Sequence, residues 1–88
     1  MNMAAKQSHP MEQAFQQLLK QQVHLEFNGN REVIIEDCGG ILEYTDKQVR
    51  INASDCILRF QGRALQICAM TQDSIVLSGN IEHLDFLF

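Results

Sequence analysis

Several features that would point to a definite class of protein are missing from this sequence. No run of about 18 apolar residues occurs, so there is no candidate for a membrane-spanning helix. Residues 1–15, MNMAAKQSHPMEQAF, lack the continuous apolar segment of a secretory signal peptide. We therefore expect a cytoplasmic protein with no direct membrane insertion.

Positive charge is also scarce. Seven Lys and Arg residues stand against 11 Asp and Glu residues, which gives a formal net charge of −4 at pH 7. Proteins that bind nucleic acids through their phosphates usually present a basic face. The charge balance therefore argues against a general nucleic-acid partner, while leaving room for a local basic patch.

Local patterns of catalytic and metal-binding residues are absent as well. The three histidines are isolated at positions 9, 24 and 83, without metal-ligand spacing. The three cysteines form neither a C-x-x-C pair nor a disulfide framework. We interpret Cys56 and Cys68 as small apolar side chains. Cys38, beside two glycines, is expected to be the most exposed cysteine and the best candidate for a reactive thiol. We expect no enzymatic activity, no metal site and no cofactor.

The first 20 residues divide into a tail and a predicted helix. Residues 1–10 show no periodicity, which predicts a disordered N-terminal tail. An apolar stripe with helical spacing follows and predicts a helix over residues 11–20 that docks on a sheet. Residues 11–88 should thus form a single β-rich domain. The stripe consists of Met11, Ala14, Phe15, Leu18 and Leu19.

From Val23 onward the apolar residues alternate, in short runs separated by polar breaks. This pattern predicts a mainly β fold: a β-meander of about seven or eight short strands, in a strongly bent sheet or a partly closed roll. A bulge or bend is expected between Gly79 and His83. Four glycines are interpreted as structural turn residues: Gly29, Gly40, Gly62 and Gly79.

The turn lengths predict which residues face each other. In the first hairpin, Val33 is placed opposite Leu25 across a three-residue loop. Two-residue turns at 46–47, 54–55 and 62–63 and a three-residue loop at 70–72 then place ten side chains on one face, which we predict to be the core. These are Leu42, Tyr44, Val49, Ile51, Leu58, Phe60, Leu65, Ile67, Ile75 and Leu77.

The opposite face combines charged and apolar residues. Arg50 and Arg59 should lie across from each other, which requires acidic neighbours such as Glu43 or a polyanion. The face is too apolar for plain solvent-facing surface, so the helix, closure of the roll or a second copy should cover part of it. We expect a homo-oligomer, with a candidate interaction face made of Ile41, Ile57, Val76 and Leu87.

Three segments, in this order, resemble the YabP/YqfC family of sporulation proteins: Gly40-Ile41-Leu42-Glu43-Tyr44, then residues 58–67 around Gly62 and Leu65, and residues 76–86 around Gly79 and Ile81. The resemblance covers residues 33–86 and does not extend to the predicted helix. It implies a non-enzymatic role in spore envelope assembly in the mother-cell cytoplasm, through protein–protein interaction with a membrane or spore-coat protein. It implies no catalytic residues.

A second resemblance is to Sm-like RNA-binding proteins. Residues 23–29 are similar to their first strand and turn, and Leu77-Ser78-Gly79-Asn80-Ile81 is similar to their second motif. Ser78 stands where an Arg usually precedes the Gly, and the Asp-x-x-Met-Asn element is missing. The RNA-contacting residues therefore do not carry over. The alternative that this resemblance implies is a small β-barrel module that binds RNA.

Overall fold

The computed structural model describes residues 22–88, so the predicted tail and the predicted helix over residues 11–20 lie outside the described residues. The described part forms one open sheet of six antiparallel strands in the order β1-β2-β6-β5-β4-β3. The mainly β prediction is therefore confirmed. The strands are β1 (His24–Asn28), β2 (Glu32–Glu36), β3 (Ile41–Tyr44), β4 (Gln48–Asn52), β5 (Ile57–Met70) and β6 (Ser74–Leu87).

The prediction of seven or eight short strands is wrong because β5 and β6 are single strands of 14 residues each. The chain does not turn at Gly62 and Arg63. Phe60 pairs with Leu84 on β6 instead of Leu65. A polar break containing glycine looks the same in sequence whether the chain reverses or bends. Here it bends, and β6 bends beside it.

The bend depends on close contact between the two long strands. A Cβ atom added to Gly62 would overlap the Asn80 carbonyl oxygen, and one added to Gly79 would lie 2.5 Å from the Ala64 oxygen. Gly79 also has a φ of 130°, which side-chain-bearing residues rarely adopt. On β6, Glu82 is an extra residue between the partners of Gly62 and Gln61, so the irregularity expected between Gly79 and His83 is confirmed.

The bend divides the sheet into two layers, which we name after their inner strands. The β4 layer contains β3, β4, residues 57–61 of β5 and residues 83–87 of β6. The β2 layer contains β1, β2, residues 74–78 of β6 and residues 66–70 of β5. The Tyr44 hydroxyl of the β4 layer accepts a 3.0 Å hydrogen bond from the Ile67 N–H of the β2 layer. The layers therefore fold toward each other.

Turns hold this folded arrangement through backbone hydrogen bonds. In the β3–β4 turn, the Lys47 carbonyl accepts from the Gly62 N–H at 3.0 Å, and the Asp46 carbonyl accepts from the Leu65 N–H at 2.8 Å. In the β1–β2 turn, the Asn30 carbonyl accepts from the Ile81 N–H at 2.8 Å. These two hairpin turns are thus fixed against the bent part of a long strand.

The buried side chains of both layers form one core. Seven of the ten residues predicted for the core face are buried, and Ile67 packs against them partly buried. The core prediction is wrong for Leu42 and Tyr44, because both are about half exposed on the edge strand β3. A bulge between Ile41 and Glu43 places Ile41 against the core instead of Leu42. The core consists of Val33, Ile35, Cys38, Val49, Ile51, Ala53, Cys56, Leu58, Phe60, Leu65, Ile75, Leu77 and Ile81.

The predicted strand pairings are correct between β4 and β5, partly correct between β3 and β4, where Ile41 instead of Leu42 lies opposite Ile51, and wrong elsewhere. Tyr44 faces Val49 and Ile51 faces Leu58, as predicted. In the first hairpin Leu25 faces Ile35, two residues beyond the predicted partner, although the three-residue loop and the buried face are right. In the last hairpin, the partner of Ile67 is Leu77 instead of Ile75. These shifts by two residues leave the same side chains facing the core.

Candidate interaction surface

A row of four charged side chains crosses the outer face of the β4 layer. Glu43, Arg50, Arg59 and Asp85 are in register on β3, β4, β5 and β6. Arg50 Nε lies 2.8 Å from Glu43 Oε1, and Arg59 Nη2 lies 3.0 Å from Asp85 Oδ2. The predicted juxtaposition of the two arginines and the acidic neighbour Glu43 are confirmed. Asp85 was missed because its position depends on the pairing of β5 with β6.

The ends of this row are acidic, so both arginines are neutralised locally. Gln48 Nε2 also donates to Glu43 Oε1 at 2.8 Å, and Gln61 Nε2 donates to Gln48 Oε1 at 3.0 Å. The hydrogen bond from Arg50, reinforced by the one from Gln48, holds the pKa of the Glu43 carboxyl below its usual value. A polyanion would have to compete with the Glu43 carboxylate for Arg50 Nε.

The structure does not bring the four residues of the predicted interaction face into one patch. Ile57 and Leu87 face each other across β5 and β6, and both are partly buried. Val76 lies on the β2 layer between Ile34 and Ala69. Ile41 packs against the core because of the bulge in β3. An interaction role for the pair Ile57 and Leu87 stays a prediction.

Large exposed apolar side chains occur elsewhere, on edge strands and at strand ends. Phe27 on β1 is 43% exposed, Phe86 on β6 is 48% exposed, and Phe88 just beyond β6 is 91% exposed. Phe27 and Phe86 have the same alternation as the core, since they pair with the buried residues Val33 and Leu58. Alternation alone would assign both to the interior. They are exposed because of the strand order, which the sequence pattern did not predict.

The thiols are arranged differently from the prediction. Cys38 is buried, with 8% of its surface exposed, which corrects its assignment as the most exposed cysteine. Burial raises the pKa of the Cys38 thiol and also that of Cys56. Cys68 is exposed, with Sγ 2.9 Å from Ser78 Oγ. All three cysteines are free. Since the thiolate is the nucleophilic form, burial makes Cys38 a poor nucleophile.

Comparison with known protein families gives a match to the YabP family over residues 19–87. This match covers most of the chain and includes β1, which lies outside the resemblance seen in the sequence. The chain belongs to the YabP family. Membership suggests a sporulation-related protein. Searches of the curated proteins and of the solved structures found no match.

Two further findings describe the YabP-family chain. No helix within residues 22–88 has the length and hydropathy needed to cross a membrane. In the same residues, no group of three or more His, Cys, Asp or Glu side chains is arranged to hold a metal ion. The described surface presents the charged row, the sheet edges and the exposed aromatic side chains.

Proposed function

We propose that this protein acts in spore envelope assembly through protein–protein contacts, in the mother-cell cytoplasm and without catalysing a reaction. The family match over residues 19–87 carries the proposal. A membrane protein or a spore-coat protein is the partner we expect.

The sheet edges support a role in protein contacts. Phe27, Phe86 and Phe88 each expose at least 43% of their surface. Partly buried aromatic side chains supply much of the binding energy at protein interfaces. Edge strands also offer backbone hydrogen-bonding groups to a partner chain. Aromatic anchors beside open edges are what an assembly protein needs, and they require no catalytic group.

Three ion pairs on the surface favour protein contacts over RNA binding. Arg50, Arg59 and Arg63 each pair with a carboxylate, the last with Glu82 at 3.0 Å. RNA phosphates would have to compete with these carboxylates for these three guanidinium groups. Any RNA binding through phosphates would weaken steeply with salt. Absence of a shift with short RNA at low salt would remove the RNA alternative.

Gene deletion in a spore-forming host that carries this gene tests the proposal. We expect the protein to accumulate during sporulation and its loss to give spores with a defective envelope, restored by the native gene. Equal accumulation in growing and sporulating cells, together with normal spores after deletion, would refute the proposal. Restoration by a Cys38→Ser variant would argue against thiol chemistry.

An affinity-tagged copy purified from sporulating cells identifies the partner. The proposal predicts enrichment of a membrane or coat protein with the native chain. Phe27→Lys and Phe86→Lys variants show which edge binds it, since each removes one exposed aromatic side chain from a different strand. If both variants recovered the same partner in the same amount as the native chain, recognition through these edges would be contradicted.

A further inference from the structure

Residues 83–87 of β6 have a neighbouring strand on one side only within the part of the chain that the structure describes. Their partner is β5, where Ile57 faces Leu87 and Phe60 faces Leu84. On the other side of β6, β2 pairs only with residues 74–78. The β1–β2 turn reaches as far as Ile81, whose N–H it binds through Asn30. Beyond Ile81, no other strand of residues 22–88 pairs with this side of β6.

The direction of the backbone groups on this edge follows from the hydrogen bonds of β5. The Gly62 N–H points toward β4, because it donates to Lys47 in the β3–β4 turn. Backbone groups point to alternate sides along a strand, so residues 58 and 60 also face β4. Residues 57, 59 and 61 therefore face β6 and bond residues 87, 85 and 83. The backbone groups of Leu84 and Phe86 consequently point away from β5, and by the same alternation so do those of Phe88.

Two other edges of the sheet, β3 and the end of β5, carry features that hinder pairing, whereas β1 is a regular edge strand. Edge strand β3 contains the bulge between Ile41 and Glu43, and the end of β5 is irregular between Ile67 and Ala69. The Ile67 N–H is already bound by the Tyr44 hydroxyl. Bulges of this kind protect edges from unwanted association. Residues 83–88, HLDFLF, contain no irregularity in pairing, no proline and no lysine.

The side chains of this edge are complementary to the same edge of a second copy of the protein. Leu84, Phe86 and Phe88 occupy every second position, so their side chains lie on one side of the strand, with Phe86 in the middle. An antiparallel pairing centred on Phe86 places Phe86 against Phe86 of the second copy, and Leu84 against its Phe88. The same pairing sets Asp85 opposite Leu87 of the second copy. A pairing centred on Asp85 would instead oppose two carboxylates, which is unfavourable.

We propose that the protein forms a two-fold dimer in which residues 84–88 of two copies pair as antiparallel strands centred on Phe86. The sheet then continues from one copy into the other, and the exposed Phe86 and Phe88 side chains become interface. This inference deepens the proposed function and rests on it, since self-association is an assembly step for a spore-envelope protein. Aromatic cross-strand pairs contribute favourably to sheet pairing.

Sedimentation of the full chain over a concentration series tests the dimer. The native chain should show a mass that rises toward that of two copies, at concentrations up to about 1 mM. Phe86→Lys should weaken association at least about tenfold, because two like charges then face each other. Phe27→Lys is the matched control, since Phe27 has similar exposure on another edge, and it should leave association unchanged. Circular dichroism shows that each variant is folded.

Mixing two variants tests the position of the two-fold axis. Phe86→Lys and Phe86→Glu chains should each be monomeric, whereas their equimolar mixture should associate, because Lys then faces Glu. A mixture that stays monomeric would overturn the pairing centred on Phe86. A monomeric native chain at every concentration, or equal weakening by Phe27→Lys, would overturn the dimer. Neither result depends on the sporulation phenotype, while normal spores after deletion would refute the proposed function even if the dimer forms.

Discussion

Burial separates the three thiols at the scale of single residues. Cys38 and Cys56 are at most 9% exposed, whereas Cys68 is exposed beside Ser78. We predict that a thiol reagent modifies one cysteine rapidly in the native protein and the other two only on unfolding. Absorbance on reaction with an aromatic disulfide measures this directly. Cys68→Ser should remove the rapid phase, and a rapid phase that persists in this variant would contradict the assignment.

The error over Cys38 shows what a sequence cannot supply at this scale. Two glycines follow Cys38, and such a break normally predicts an exposed turn. In the structure, the Cys38 N–H donates to the Asp73 carbonyl at 3.2 Å, and the Gly39 N–H donates to Asn52 at 2.7 Å. These partners lie in the β5–β6 turn and at the end of β4. Cys56, interpreted as a small apolar side chain, is by contrast buried in the core just before β5.

The carboxyl of Glu43 provides a prediction about pH. Because its pKa is lowered in the folded protein, the unfolded chain takes up this proton first as the pH falls. Glu43 therefore contributes stability above its unfolded pKa of about 4.3, and this contribution disappears as the pH falls through the folded pKa. Glu43→Gln should flatten the loss of unfolding free energy between about pH 5 and pH 3.

Urea unfolding at a series of pH values measures this effect. Glu26→Gln is the control, because Glu26 is exposed on β1 and forms no ion pair within the described residues. Its pH profile should follow that of the native chain. An unchanged profile for Glu43→Gln would show that the hydrogen bonds from Arg50 and Gln48 do not persist in solution.

At the scale of elements, the bend of β5 and β6 requires a glycine at position 62, whereas Gly40, just before β3, is not constrained by contact. Gly62 lacks room for a side chain because the Asn80 carbonyl lies against its Cα, whereas Gly40 has nothing within 4 Å of an added Cβ. Gly62→Ala should therefore reduce the unfolding free energy by about 1–3 kcal/mol, as overpacking does. Gly40→Ala should be neutral or stabilise by up to about 1 kcal/mol, since it restricts the unfolded chain.

Denaturant unfolding of both variants decides this prediction. Equal loss of stability in the two variants would contradict it, because the family resemblance draws attention to both glycines while the structure constrains only Gly62 by contact. Circular dichroism of Gly62→Ala before unfolding shows whether the bend is kept. We expect a native spectrum and an unfolding transition at a lower denaturant concentration.

The strands illustrate how far alternation predicts an element. The faces of β4 and the start of β5 were predicted correctly, because short turns fix the pairing of Val49 and Ile51. The length of β5 was not predictable from local pattern, since its polar interruption at Gly62 is also a good turn sequence. Pairing with β6 decides between bend and turn, and that pairing joins residues that lie far apart in sequence. The exposed Phe86 was missed for the same reason.

At the scale of the whole molecule, the two layers share one core and should unfold together. Ile51 of the β4 layer and Ile35 of the β2 layer are both fully buried in the same cluster. Ile51→Val and Ile35→Val should each cost about 0.5–1.5 kcal/mol, as the loss of one buried methylene does. Both variants should retain a single transition, because neither layer can keep its apolar face buried alone.

Two probes that report on different parts of the molecule test this cooperativity. The single tyrosine, Tyr44, lies in the β4 layer and the chain has no tryptophan, so fluorescence reports on that layer. Far-ultraviolet circular dichroism reports on the whole sheet. Coincident transitions are the signature of two-state unfolding. Leu42→Ala, on the exposed side of the β3 bulge, should shift both curves little. If Ile35→Val moved the circular dichroism transition while the Tyr44 transition stayed in place, the two layers would be independent and the bend would not join them into one folding unit.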